Sequence, residues 1–272
     1  MISKLPAFAL LGIFASRAGS NGWIQQGRDQ ARTGAWSQAE ASFLSAEASA
    51  RLLDDRSAIL ESRLLRVDLR LLAQEIDSAK SIFLPLPHQR VDRADSALWH
   101  MADARIQQAQ GKPGSEPART ALEKARRGSD KALTSYALLV NSRASLLGGS
   151  IPDAEAALEE ASRLAGKLRF LRIRIAAARC RLELAKNRPV PALAAAMESQ
   201  NLAREETDVA SIVAILPLRA RSEELSGDIL LAMETWEALR DLAETTGLRL
   251  PFEEAKRERA RLARIGSQGS TP

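Results

Sequence analysis

Histidine occurs twice in the 272 residues, at His88 and His100, and cysteine once, at Cys180. So few imidazoles and thiols leave no cluster with metal-ligand spacing. A single cysteine excludes an intrachain disulfide and leaves the redox compartment open. The glycines lack the Lys-Ser/Thr partner that a phosphate-cradling loop needs. The paired acids Glu159 and Glu160, Glu205 and Glu206, and Glu253 and Glu254 are sequence neighbours. On a helix such neighbours point in different directions, so they suit solvated faces better than an acid/base couple. Cys180 reads as a small core residue. The expectation is a chain that is not an enzyme, with no cofactor, metal or small-molecule substrate. Aromatics are also scarce, at 4%, and the basic residues are interleaved with acids along nearly every segment. Both features speak against stacking on nucleic acid, which is not an expected partner.

What is present is helix-forming. Ala, Leu and Arg dominate, and these residues lose little side-chain entropy in a helix. The apolar fraction of 45% is enough for a real core. An all-α fold follows. The net charge of +5 rests on 31 Arg against 8 Lys, a balance that speaks to association rather than to fold.

The beginning, MISKLPAFALLGIFASRAGSNGW, places Lys4 before an apolar run at 5–15 and small residues at Ser16 and Ala18. That is the layout of a secretory signal peptide, with cleavage after Ala18. The run is too short to span a bilayer comfortably, since a spanning helix takes about 20 residues. The surroundings also resemble a bacterial lipoprotein acylation site, but Arg17 stands where such a site requires Cys. The expected layout is a signal peptide at 1–18 (or an uncleaved anchor, giving membrane association), a repeat domain at 19–265 and a disordered tail at 266–272. The expected location is a bacterial periplasm or envelope. The alternative is a cytosolic N-terminal helix.

Residues 23–46 read WIQQGRDQARTGAWSQAEASFLSA. Trp23, Gly27, Gly34, Ala39, Phe43 and Ala46 suit two antiparallel helices. Small residues at Gly27 and Ala39 permit a close crossing, large ones at Trp23 and Phe43 fill the gaps beside it, and Gly34 lets the chain reverse. The pattern returns at Ala79/Phe83, Ala118/Leu122, Ala154/Leu158, Ala192/Ala196 and Ala232/Trp236. The anchoring alanines lie 40, 39, 36, 38 and 40 residues apart. The fifth copy has Ala where a large residue belongs. Turn residues precede most second helices, at 111–114, 148–153, 187–189 and 226–228. Residues 251–265 are acidic first and basic last, which suits a capping helix.

This spacing resembles the tetratricopeptide repeat, whose units usually run about 34 residues. The resemblance implies a right-handed α-solenoid of about six helical hairpins plus a C-terminal capping helix, with the first helix of each hairpin on a concave binding face. One concave position follows the crossing residue, and here it falls on Arg28, Asp68, Gln107, Arg143, Arg181 and Arg221. Arg174 precedes Arg181 by seven residues, on the same stripe. Arginine offers a fixed fork of donors that matches carboxylates and phosphates. Arg28, Arg143, Arg174, Arg181 and Arg221 are therefore the expected protein-binding residues, facing an acidic partner segment. The family's Lys/Asn clamp for a C-terminal carboxylate is absent. The function expected is a non-catalytic scaffold or adaptor of the cell envelope. The alternative is a cytosolic regulator that binds an acidic protein or nucleic acid.

Overall fold

The structure, a computed structural model, describes residues 22–84 and 93–268. The signal-peptide reading of 1–18, together with Pro85, Leu86, Pro87 and His88, lies outside the described residues. Thirteen α-helices and no strand make up the described part. In chain order they are α1 Gly22–Arg32, α2 Trp36–Leu52, α3 Arg56–Leu72, α4 Ile76–Phe83, α5 Arg93–Ala109, α6 Ser115–Arg126 and α7 Lys131–Leu147. The rest are α8 Ile151–Ala165, α9 Arg169–Ala185, α10 Pro189–Glu205, α11 Val209–Leu225, α12 Ile229–Thr246 and α13 Arg249–Gln268. Each helix packs on the next, and α3, α5, α7, α9 and α11 also pack on one another in turn. The result is an all-α solenoid of six hairpins closed by α13, with the odd-numbered helices as one continuous layer.

The helices stop and start for identifiable reasons. Residues with positive φ recur at 34, 54 and 74, and again at 187, 207, 227 and 247, twenty apart within each set. Each ends a helix and reverses the chain two residues before the next one begins. Asp55, Asp130, Asp208 and Asp228 then accept hydrogen bonds from first-turn amides of α3, α7, α11 and α12. A cap of this kind contributes about 1 kcal/mol, because those amides have no partner inside the helix. Pro152 and Pro189 fall in the first turns of α8 and α10, where a missing N–H is harmless.

All six anchoring alanines, Ala39, Ala79, Ala118, Ala154, Ala192 and Ala232, are fully buried. Phe43, Phe83 and Trp236 are buried beside them. Gly27 is required by Phe43: a Cβ at Gly27 would lie 2.5 Å from the Phe43 ring. Trp23 does not fill the gap assigned to it. It is 46% exposed, and Ile24 is buried in its place. The buried stripe of α1 is Ile24, Gly27, Arg28 and Ala31, and one residue of helix turns a side chain about 100° away from such a stripe. In the fifth hairpin Cys180, Ala192 and Ala196 form a small cluster with Ile215 and Leu218, separate from the main core. Small residues there bring α9 and α10 together without a large side chain at Ala196.

The array comes round on itself. Helix α11 packs against α1. Arg32 donates to the carbonyl of Glu206 and, at 2.8 Å, to the Thr207 hydroxyl. Gln74 donates to Glu254 at 2.7 Å. Gly34 faces Val209 and Thr246, so closely that a Cβ would lie 3.0 Å from the Thr246 methyl. One turn of the solenoid thus takes about five hairpins, and the odd-numbered helices line its inside. Among the described residues, no helix is long and apolar enough to cross a membrane.

Candidate functional site

Polar residues follow one another along the inner layer. At its beginning they are matched. Arg28 of α1 pairs with Glu61 of α3, both buried. Arg105 of α5 pairs with Asp68 of α3, whose side chain is wholly inaccessible. Burial pulls the Arg105 guanidinium down, but Asp68 and Tyr136 together outweigh it and the net shift is upward. Gln108 donates to the Val140 carbonyl at 2.9 Å and ties α5 to α7.

Between α5 and α11 one stretch of the inner layer has no acid in its lining, although α11 carries its own matched pairs, Arg219 with Glu223 and Arg221 with Glu224. A pocket of about 70 Å³ opens between α5, α7, α9 and α11. Arg105, Arg143, Arg174 and Arg181 line it together with Tyr136, and no carboxylate does. Its remaining walls are mostly apolar, with Leu139, Val140 and Ile173 prominent. Arg174 donates to the Phe170 carbonyl one turn back at 2.7 Å and sits 5.8 Å from the Phe170 ring. Its Nε is buried without a partner. Arg181 makes no hydrogen bond or ion pair among the described residues. Asp208 is the acid with the largest pull on Arg174, but it is committed to Ser211, accepting from its amide at 3.0 Å and its hydroxyl at 2.6 Å.

The electrostatics reflect that imbalance. Burial, then the charges of Arg181 and Arg105, push Arg143 down to about 9. Burial also lowers Arg174 and Arg181. A guanidinium holds its proton at neutral pH, so these shifts express the cost of keeping the cations charged in a sheltered place. Burial pushes the Tyr136 phenol up to about 12, leaving it a neutral donor. Its hydroxyl lies close to Arg105 but forms no well-shaped hydrogen bond.

Of the five arginines expected on the binding face, the structure brings Arg143, Arg174 and Arg181 together. Two go elsewhere. Arg28 is taken up by Glu61 in the core. Arg221 is exposed and pairs with Glu224, which also receives Arg261 of α13 in a two-pronged contact at 2.9 and 2.8 Å. Sequence reasoning missed Arg105 and Tyr136 as pocket residues. Tyr136 is the single tyrosine of the chain, and it precedes Arg143 by seven residues, on the same stripe of α7. That spacing was a usable signal.

A larger groove of about 470 Å³ lies on the other side, over α3 and between α2 and α4. Each of its arginines has an acidic partner: Glu47 takes Arg51, Arg63 and Arg66, and Glu40 takes Arg66 as well. Size alone does not mark the site, whereas unmatched charge does. Among the described residues no group of His, Cys, Asp and Glu could hold a metal ion. Cys180 is buried, 3.7 Å from the Ser222 hydroxyl, and burial pushes its thiol up to about 11, which suits packing rather than nucleophilic work. No family model matches the chain, and no curated protein matches it.

Proposed function

We propose that the chain is a tetratricopeptide-type, non-catalytic scaffold that binds an acidic segment of a partner protein on the inside of its solenoid. The observation that carries this reading is the pocket with four arginines and no carboxylate in its lining. Arg105 has Asp68, but Arg174 and Arg181 make no ion pair among the described residues, and a sheltered cation of that kind is costly until an opposite charge arrives. A partner's acid would supply it, and it would meet donors in a sheltered environment where each hydrogen bond counts for more. The repeat spacing supports the family assignment, and the signal-like residues at 1–18 support export to a bacterial envelope.

The experiment is fluorescence anisotropy with a labelled Asp/Glu-rich peptide and the full chain. Salt-sensitive binding is expected, lost when Arg174 and Arg181 are both changed to Glu. An unbound peptide at low salt would sink the reading. Export is tested separately by the intact mass of protein from fractionated cells. A periplasmic species lacking residues 1–18 is expected, and full-length protein in the cytosol would overturn the location.

A further inference from the structure

We infer that the arginine pocket is built for a doubly charged phosphate group, either inorganic phosphate or a phosphate monoester. This rests on the reading that the pocket is the binding site of the inner face, and it narrows the chemistry of what enters.

Charge comes first. Arg174 and Arg181 both project from α9, seven residues apart, and neither has an acidic partner among the described residues. Arg105 is already matched by Asp68. These two bring two positive charges to the lining with no ion pair to hold them, Asp208 acting on Arg174 only from a distance. A single carboxylate would cancel one of the two. A phosphate monoester carries about −1.5 to −2 at neutral pH, with three acceptor oxygens.

Size agrees. A water needs roughly 10–15 Å³ of cavity measured by a water-sized sphere, so the pocket of about 70 Å³ has room for roughly five to seven waters, enough for a small tetrahedral anion. Phosphate has five heavy atoms.

The donors also agree. Besides the guanidinium forks, the buried Tyr136 hydroxyl reaches the lining without a well-formed bond of its own, and it stays protonated. A neutral phenol O–H beside arginines is a donor for an oxyanion, and bonds of that charge-assisted kind are short and strong. The apolar walls formed by Leu139, Val140 and Ile173 hold the dielectric down and strengthen every such contact.

The test titrates the full chain with sodium phosphate, phenyl phosphate, or acetate at constant ionic strength, followed by calorimetry and thermal unfolding. The Asp/Glu-rich peptide is run alongside. Both phosphates should bind and raise Tm, and acetate should not. Arg181→Met should weaken phosphate about tenfold or more, and Tyr136→Phe by a smaller factor. Arg181→Met should also raise the Tm of the ligand-free protein, so a lost response cannot be put down to unfolding. Binding of inorganic phosphate with exclusion of phenyl phosphate assigns a free ion. Equal binding of the two assigns a phosphorylated group on a larger molecule. Phosphate binding untouched by both substitutions would overturn the inference. Peptide binding without phosphate binding would overturn it too, while leaving the proposed scaffold standing. Failure of both ligands would remove both.

Discussion

The two halves of the inner layer are built from the same kind of residue and behave in opposite ways. In α1, α3 and α5 each buried arginine meets an acid from the neighbouring inner helix, Arg28 with Glu61 and Arg105 with Asp68. In α7 and α9 the arginines stand at equivalent places along their helices, yet the inner helices that flank them bring no acid into the lining. The first half uses charge to join repeats. In α9, Arg174 and Arg181 are left without an ion pair among the described residues. A guanidinium in a repeat protein is therefore structural or functional according to what the next repeat presents to it, not according to its own position.

Removing an acid from the first half should have the largest effect. Asp68→Asn keeps the shape but leaves Arg105 buried beside the pocket cations, at a cost of about 3–5 kcal/mol. A urea unfolding series should show a lower midpoint with little change in slope; an unchanged midpoint would mean that the Arg105–Asp68 pair does not hold the fold. The converse change in the second half should stabilise. Arg181→Met replaces a sheltered cation, which lacks an acidic partner, by an apolar side chain of similar length. The expected gain is about 0.5–2 kcal/mol, the range common for a single stabilising substitution, together with lost peptide binding. A thermal scan showing destabilisation instead would mean that the two halves do not differ as described.

The asymmetry was not legible in the sequence, although much of the frame was. The alanine spacing marked all six hairpins, because a close helix crossing admits few residues and the period is set by helix length. Gly27 and Phe43 were legible for the same reason. The turns were only half legible. Gly34, Asn187 and Gly227 fall in turns the sequence marks, but Asp54, Gln74 and Thr207 adopt left-handed backbone with no such signal. Thr207 and Gln74 also carry contacts that close the solenoid, and contacts across some 175 residues leave no local pattern. Trp23 was misplaced because its register could be checked against no preceding turn. Arg28 and Arg181 occupy the same position in the repeat. What separates them is Glu61, which sits on another helix and became a neighbour only when the chain folded.

Supplying the missing acid erases the difference between the halves with less effect on stability. Ala178 of α9 lies one turn after Arg174 and one turn before Arg181, and it lines the pocket. Ala178→Glu should pair with both, as helix neighbours three and four apart do, for roughly 0.3–0.5 kcal/mol. Thermal unfolding should rise slightly while phosphate and acidic peptide both cease to bind. Binding that survives in Ala178→Glu would place the anion elsewhere.

The smallest effect separates the halves by acid. Burial works to raise Glu47, but the hydrogen bonds from Arg63 and Arg51 outweigh it and hold its carboxyl below the ordinary range. A carboxylate whose folded pKa is depressed contributes stability that is fully present above its unfolded value, about 4.3. That contribution is lost as pH falls through the folded value. Glu224, held by Arg261 and Arg221, shifts the same way. The pocket lining has no carboxylate to protonate, so acid should loosen the matched networks and leave the arginine cluster charged. Urea midpoints between pH 7 and pH 3 should therefore fall below pH 4.5, and less steeply in Glu47→Gln, with part of the slope remaining through Glu224. Binding of a strong-acid oxyanion such as sulfate should persist over the part of that window in which the chain stays folded. If sulfate binding instead falls in step with the Glu47 network while the fold is intact, the pocket depends on the matched network, and the two regions are one cooperative unit.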